Sequence, residues 1–256
     1  YADATADCNA GGGVTSTECG VGASATADTS VALGAAAQAT ATDAVAIGDQ
    51  AAASGVNSSA VGGESVASGL AAQAFGWRAN ATGERSSALG HLANAAGLRA
   101  TAVGEAANAS AETSIAIGNT SAASAIDAVA IGDQAAASGI NSSAVGSESV
   151  ASGLAAQAFG WRANATGERS AALGHLANAS GLRSTAVGEA AAASGETSIA
   201  IGNTSVASAI DAVAIGDQAA ASGINSSAVG SESVASGLAA QAFGWRANAT
   251  GERATA

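Results

Sequence analysis

Residues 43–56 read DAVAIGDQAAASGV, and this stretch of 14 residues sets the pattern for most of the chain. A glycine stands at every fourteenth position from Gly20 to Gly244 without a miss. A second series, from Gly55 to Gly251, falls seven residues after the first in most repeats. A fixed short period indicates a solenoid, and glycine permits either positive φ or a close backbone approach. We therefore predict two chain reversals in every 14-residue coil.

The segments between the glycines have the length of strands, and three of their positions hold only small residues. The residue two before each first-series glycine is Ala in every repeat after the first, and the residue five after it is always Ala. The residue three after it is Ala or Ser. Stacked coils align these positions in columns about 4.8 Å apart, so small columns predict a narrow interior between two sheets.

Two other architectures compete with this β-solenoid. An alanine-rich helix is favoured by propensity, but glycine every seven residues costs about 1 kcal/mol at each occurrence in a helix. A calcium-binding β-roll requires G-G-x-G-x-D repeats, which the sequence lacks. We therefore predict an all-β fold, a parallel β-roll of 14-residue coils.

A column of larger apolar residues immediately precedes the first-series glycines. We predict that it points away from the interior, and an apolar ladder of this length needs a partner, most simply another copy of the chain. The predicted interface residues are Leu33, Ile47, Val61, Phe75, Leu89, Val103, Ile117, Ile131, Val145, Phe159, Leu173, Val187, Ile201, Ile215, Val229 and Phe243.

Composition and charge narrow the function classes. Aromatic residues make up 3% of the chain, too few for the core of a conventional enzyme, and the net charge of −12 leaves no basic patch for nucleic acid. No apolar run is long enough to span a membrane. No Ser-His-Asp set or carboxylate pair stands out, so we predict no catalytic residues, no metal and no cofactor. His91 and His175 are interpreted as surface residues at a coil edge.

Cys8 and Cys19, the only cysteines, lie in an N-terminal stretch that does not follow the repeat. We interpret them as a disulfide formed in an oxidising, extracytoplasmic compartment; two reduced thiols are the alternative. A zinc site lacks further ligands. Pairing within one chain and pairing between chains are both open.

The domain organisation follows from the repeats. Residues 1–27 are predicted to form an irregular cap, and residues 28–256 the β-roll. Residues 43–126 and 127–210 differ at eight of 84 positions, and 211–253 repeats 127–169 identically. Six coils therefore make a superunit, with superunits at 43–126, 127–210 and, in part, 211–256.

The motifs SVALG at 30–34, SIAIG at 114–118 and 198–202, and NSSAVG at 57–62 resemble the head repeats of trimeric autotransporter adhesins, the YadA-like family. The resemblance implies a left-handed β-roll, a homotrimer about a threefold axis, and display on the surface of a Gram-negative bacterium by an outer-membrane anchor. The neck, stalk and anchor of full-length members are not in this sequence, so we expect it to be the head portion. Gln73, Gln157 and Gln241 stand where the family has an apolar residue.

A Phe-Gly-Trp-Arg motif recurs at 75–78, 159–162 and 243–246. We predict its Trp at a coil edge, where it anchors a ligand or, alternatively, packs across the subunit seam. Instead of binding a ligand, Arg78, Arg85 and Arg99 have a second interpretation, in which they pair with Glu84 or form salt bridges to another chain. The candidate ligand-binding residues from the motif are Trp77, Arg78, Trp161, Arg162, Trp245 and Arg246; the resemblance adds Ser30, Val31, Ser114, Ile115, Ser198 and Ile199.

Two functions remain under consideration. The first is an adhesin head that binds host extracellular matrix of the collagen, fibronectin or laminin class, or host cell-surface receptors, through a multivalent repetitive surface. The second is a structural spacer or self-association module of a bacterial surface fibre. Near-identical superunits favour the second, because duplication lengthens a fibre without requiring a new site.

Overall fold

The computed structural model describes residues 8–256, and all regular structure in this range is β-strand. The chain divides into two compact units after Asp127, and each unit is a parallel β-solenoid of 14-residue coils. The all-β solenoid prediction is confirmed. Among the described residues no helix is present that has the length and apolarity to cross a membrane.

In the first unit, three-residue and two-residue strands alternate along the chain after the N-terminal pair. Its strands are β1 (Asn9–Ala10), β2 (Thr17–Cys19), β3 (Ser24–Ala25), β4 (Val31–Leu33), β5 (Gln38–Ala39), β6 (Val45–Ile47), β7 (Ala52–Ala53), β8 (Ser59–Val61), β9 (Val66–Ala67), β10 (Gln73–Phe75), β11 (Asn80–Ala81), β12 (Ser87–Leu89), β13 (Asn94–Ala95), β14 (Thr101–Val103), β15 (Asn108–Ala109), β16 (Ile115–Ile117) and β17 (Ala122–Ala123).

The second unit alternates in the same way throughout. Its strands are β18 (Val129–Ile131), β19 (Ala136–Ala137), β20 (Ser143–Val145), β21 (Val150–Ala151), β22 (Gln157–Phe159), β23 (Asn164–Ala165), β24 (Ala171–Leu173), β25 (Asn178–Ala179), β26 (Thr185–Val187), β27 (Ala192–Ala193), β28 (Ile199–Ile201), β29 (Val206–Ala207), β30 (Val213–Ile215), β31 (Ala220–Ala221), β32 (Ser227–Val229), β33 (Val234–Ala235), β34 (Gln241–Phe243) and β35 (Asn248–Ala249).

Each unit contains two sheets, one built from the three-residue strands and one from the two-residue strands. Strands of successive coils pair in parallel with a constant register of 14 residues, as where Ala74 of β10 pairs with Ala60 and Ala88. Gln73 pairs with Ser59 and Ser87 in the same register, so the glutamine does not interrupt the ladder. We call the outer surface of the first sheet the long-strand face and that of the second the short-strand face.

Four columns of small residues fill the interior. The three that the sequence predicts are buried except in terminal coils; Ala74 and Ala81, for example, are 0% exposed. The fourth column, which the sequence analysis missed, lies four residues before the first-series glycine and holds Ser or Ala. Burying most of its serines costs little free energy because their hydroxyls donate to a nearby carbonyl, as when Ser86 Oγ donates to Gly83 O at 2.7 Å.

The two turns of each coil require glycine for different reasons, and the sequence predicts only part of this difference. First-series glycines have φ between 123° and 137°, a region open to glycine. Second-series glycines do not have positive φ; a Cβ on Gly153 would lie 2.0 Å from Gly167 O, so close approach selects glycine there. The left-handed positions two and nine residues after the first-series glycine hold residues such as Arg78 (φ 53°) and Arg85 (φ 56°).

The solenoid begins earlier than the predicted boundary at residue 28. β2 and β3 already pair in register with β4 and β5, because Gly20 and Ala25 occupy repeat positions. Glu18 takes the place of the inward Ala, and Ala25 N–H donates to its carboxylate at 3.2 Å. β1 pairs antiparallel with β2, and a disulfide joins Cys8 to Cys19. The part of the predicted cap at 1–7 lies outside the described residues.

Candidate functional site: charged rows on the turn edges

Every charged side chain between residues 28 and 256 lies in a turn. The long-strand and short-strand faces of this part of the chain contain no Asp, Glu or Arg. Each coil therefore presents its charges at two edges, one formed by the turns at the first-series glycines and one by the turns seven residues later. Recognition that uses charge is restricted to these edges.

In the first unit, five side chains from four successive coils form a continuous row along the first edge. Arg78 Nε donates to Glu64 Oε2 at 2.7 Å, and the Arg78 guanidinium carbon lies 4.5 Å from the centroid of the Trp77 ring. The His91 ring stacks on Trp77 with centroids 4.9 Å apart and planes 11° apart. His91 Nδ1 lies 3.4 Å from Glu105 Oε1. We call these five residues a Trp row.

A second Trp row repeats this geometry in the second unit. Arg162 Nε donates to Glu148 Oε2 at 2.6 Å, and its guanidinium carbon lies 4.6 Å from the Trp161 centroid. His175 stacks on Trp161 at 4.7 Å, and its Nδ1 lies 3.4 Å from Glu189 Oε1. The row is therefore a reproducible consequence of the repeat.

The coil-to-coil hydrogen bonds hold the Trp row in register. Arg78 N–H donates to Gly63 O at 2.9 Å, and Leu92 N–H donates to Trp77 O at 3.0 Å. The left-handed conformation of Arg78 and Leu92 aligns these N–H groups with the solenoid axis, and the bonds offset a cost of about 1–2 kcal/mol for each left-handed residue. Trp and His rings in the same turn position therefore lie one coil apart, a distance suited to stacking.

A third Trp-Arg-Glu group lies further along the second unit. Arg246 Nε donates to Glu232 Oε2 at 2.6 Å, and its guanidinium carbon lies 4.6 Å from the Trp245 centroid. The hydrogen bond from Arg246 lowers the pKa of Glu232, aided by the Arg246 charge and a hydrogen bond from Trp245 and opposed by desolvation. The Arg246 guanidinium thus stabilises the ionised carboxylate.

The contacts within the row determine which parts of the Trp ring a ligand can reach. The Trp77 ring has Arg78 and His91 against it, and the residue as a whole is 43% exposed. A stacking ligand therefore has to displace a neighbour, whereas an edge-on contact does not. The exposed Arg78–Glu64 ion pair contributes at most about 1 kcal/mol. The backbone hydrogen bonds between coils therefore position the row more than the attraction between its charges does.

The structure separates the two candidate residues of each Ser-Val/Ile pair. Ser30, Ser114 and Ser198 are 0% exposed and bond to carbonyl oxygens within their own turns. These serines belong to the fourth interior column, and their burial leaves no surface of the hydroxyl for direct contact with a ligand. Val31, Ile115 and Ile199 are half-buried on the long-strand face.

The long-strand face also carries the predicted interface column. Ile47, Phe75 and Ile117 are 37–39% exposed, and other members such as Leu33 and Val61 are half-buried. Val31 shares this face with Leu33, two residues away on the same strand. An interface that covers the ladder would therefore cover Val31, Ile115 and Ile199 as well, so these three residues fit the interface better than a ligand site.

The second edge carries the remaining arginines. Arg85 Nε lies 3.9 Å from Glu84 Oε1, so that predicted pair is loose. Arg78 pairs with Glu64 and not with Glu84. The sequence analysis placed Trp77 and His91 at one position of the repeat but missed their stacking and the roles of Glu64 and Glu105. A comparison of turn positions 14 residues apart would have grouped Trp77 with His91 and Glu105, and Glu64 with Arg78.

Residues 8–256 contain no pocket, and within the described part of the chain no group of three or more His, Cys, Asp or Glu is placed to hold a metal ion. The exposed sheet faces and turn edges are therefore the surfaces available for binding.

The fold defines a class of protein, a parallel β-solenoid whose faces are uncharged and whose turns carry the charged groups. A family model described as the YadA head domain repeat matches 14 stretches between residue 20 and residue 256, most of which overlap. The chain belongs to the YadA head-repeat family. Among solved structures, it is similar to the collagen-binding domain of the Yersinia adhesin YadA, at 20% identity with a TM-score of 0.29. The match covers 68% of this chain and 66% of that one. No curated protein matches the sequence.

Proposed function

We propose that this chain is the head of a surface-displayed bacterial adhesin that binds host matrix proteins or cell-surface receptors through its Trp rows. Membership of the YadA head-repeat family carries the proposal. The similar Yersinia domain is a collagen-binding domain, so collagen is the class of ligand to test first. The left-handed winding and the homotrimer implied by the family remain part of the proposal.

Multivalency allows individually weak Trp sites to give tight overall binding to a fibrous ligand. In the second unit, Trp161 and Trp245 lie six coils apart, which corresponds to about 29 Å along the solenoid at the spacing of parallel strands. A fibrous ligand with repeated recognition groups engages the second Trp row and the Trp245 group at once, and each weak contact raises the effective concentration for the next. Trp and Arg are the residues most often found at the energetic centres of interfaces.

The test measures saturable binding of the purified chain to immobilised collagens, fibronectin, laminin and whole epithelial cells at physiological salt. The variant combines Trp77→Ala, Trp161→Ala and Trp245→Ala. Its matched control combines Leu70→Ala, Leu154→Ala and Leu238→Ala, which are 42–47% exposed on the opposite edge. We expect the Trp variant to bind its matrix protein at least about tenfold more weakly and the control to bind normally. No binding by the parent chain, or equal loss in both variants, contradicts the proposal.

The homotrimer is proposed to form through the long-strand face. Ile117→Asp with Ile131→Asp places two charges on its apolar ladder, and light scattering should show loss of the trimer. Val150→Asp with Val234→Asp is the control, because these residues lie on the short-strand face. If the isoleucine variant stays trimeric, or if only the control loses the trimer, the interface lies on a surface other than the long-strand face.

A spacer or self-association module is the second candidate, favoured by the near-identical superunits and the uncharged faces. Deleting residues 127–210 distinguishes the two functions, because the deletion removes one Trp row while keeping the 14-residue phase. An adhesive array should lose avidity for its matrix ligand. A spacer should keep the affinity of whatever it carries and lose only reach.

A further inference from the structure

The edge opposite the Trp rows carries two arginines in neighbouring coils, Arg85 and Arg99, which we call an Arg pair. Their φ angles are 56° and 57°. Arg85 N–H donates to Leu70 O at 2.7 Å, and Arg99 N–H donates to Glu84 O at 2.8 Å. The two turns thus have the same conformation one coil apart, about 4.8 Å. Their side chains leave the backbone in parallel.

The second unit repeats the Arg pair with Arg169 and Arg183. Their φ angles are 55° and 57°, and their N–H groups donate to Leu154 O and Glu168 O at 2.7 and 2.8 Å. Each complete superunit therefore holds one pair. The geometry of the pair, like that of the Trp row, is therefore reproduced within each unit.

The charges of the Arg pair are poorly compensated. Arg85 Nε has Glu84 Oε1 only at 3.9 Å, with the two side chains 58% and 46% exposed. Within the described residues, Arg99 has no carboxylate within 4.0 Å, and neither guanidinium donates a side-chain hydrogen bond. Arg78 on the other edge, by contrast, has a carboxylate at 2.7 Å. Two guanidinium groups carried by equivalent turns of neighbouring coils repel each other, and an anion bound by both removes the repulsion.

We propose that each Arg pair binds one sulfate or carboxylate group of an acidic glycan. Guanidinium forks one coil apart present several N–H donors to the oxygens of one tetrahedral or planar anion. Leu70, which is 43% exposed, and the half-buried Leu98 occupy the turns beside the pair, where they offer apolar contact to a sugar ring.

The acidic surroundings select against densely charged ligands. Glu84 and Glu112 occupy the same turn position as Leu70 and Leu98, and the chain as a whole carries a net charge of −12. A nucleic acid, with a charge about every 1.7 Å, would place phosphates against these carboxylates. A glycan with one or two anionic groups per disaccharide can present a single group to each pair. Several pairs then add through multivalency.

The experiment measures binding of the chain to immobilised chondroitin sulfate at 50 and 150 mM NaCl. Arg99→Ala with Arg183→Ala disrupts one arginine of each pair, and alanine already occupies the same turn position at Ala71 and Ala155 with φ 54°. We expect at least about tenfold weaker binding, and a weaker dependence on salt, because charge-assisted hydrogen bonds are lost at every pair. Circular dichroism verifies that the variant is folded.

Arg78→Ala with Arg162→Ala is the matched control, with the same change of net charge on the opposite edge. It should bind the glycan within about twofold of the parent chain. Arg99→Lys with Arg183→Lys keeps the charge without the fork and should give an intermediate loss. No binding at 50 mM NaCl, or equal loss in the Ala variant and its control, overturns the proposal.

Two further arms identify the anionic group and separate this site from the Trp rows. Loss of binding to desulfated chondroitin assigns the sulfate, and undiminished binding assigns the carboxylate. Binding to neutral dextran of equal strength overturns the proposal. The inference does not rest on the proposed matrix binding, so the triple Trp variant should retain its affinity for chondroitin sulfate. If that variant loses binding both to the matrix protein and to chondroitin sulfate, a single site involves both edges, and the Arg-pair assignment is refuted.

Discussion

The interior and the turn edges of this solenoid obey different rules. Interior columns hold only Ala and Ser along most of the chain because two sheets close over a space too narrow for larger groups. The turn positions accept Trp, His, Arg, Glu, Leu and Asp, although many have left-handed backbone. The interior columns therefore determine the fold of each coil, and the residues at the edges can vary to carry recognition groups.

Enlarging an interior residue should have the largest effect. Ala158 is fully buried at the centre of β22, and Ala158→Leu forces three additional carbon atoms between the sheets. We expect about 3 kcal/mol of destabilisation by chemical denaturation. Ala171→Leu is the control, because its outward column already holds Ile115 and Ile199. Equal destabilisation by both variants would show that the interior is not the constrained side.

Changing a first-series glycine should come next. Gly160 has a φ of 133°, and an added Cβ would lie 2.5 Å from Gly174 O. Gly160→Ala should therefore cost about 1–3 kcal/mol through backbone strain alone. Ala155→Gly, at a left-handed turn position, should be close to neutral because relief of strain offsets the entropy gained by the unfolded chain. Hydrogen exchange of the coils around each site measures both effects.

Serine-to-alanine changes test the interior at finer scale. Ser142 Oγ is buried without a hydrogen-bond partner, whereas Ser149 Oγ donates to Gly146 O at 2.7 Å. Ser142→Ala should raise the free energy of unfolding by about 1 kcal/mol, and Ser149→Ala should lower it by about the same amount. Melting curves that shift in the same direction for both would refute this division of the serines.

The smallest effect is a titration at the edge. Glu232 has a lowered pKa because of Arg246, so the ion pair contributes stability above the unfolded pKa and loses it as pH falls through the folded pKa. Arg246→Ala should raise the pKa of Glu232 in a carbon-detected NMR titration. Arg253→Ala should leave it unchanged, since Arg253 forms no ion pair with Glu232. An unmoved pKa in Arg246→Ala would exclude the guanidinium as its cause.

Much of the fold follows from the sequence because the interior is repetitive. A strict glycine period and three alanine-rich columns suffice to predict parallel coils and a narrow core. Strand alternation places Ser30 on the same side as the inward Ala32, but a polar hydroxyl does not by itself indicate burial. The hydroxyl is satisfied inside because it donates to Ala27 O within its own turn. The stacking of Trp77 on His91 depends on side-chain rotamers, so a shared repeat position indicates proximity but not which ring face is covered.

The matching of superunits also has a consequence for how the gene can change. A crossover between the segments for residues 43–126 and 127–210 preserves the 14-residue phase, because each segment spans six whole coils and the two differ at only eight of 84 positions. Unequal recombination therefore inserts or deletes whole blocks without creating a mismatched junction. Each block carries one Trp row and one Arg pair, so the reach and the valency of the molecule become inherited together and vary in fixed steps.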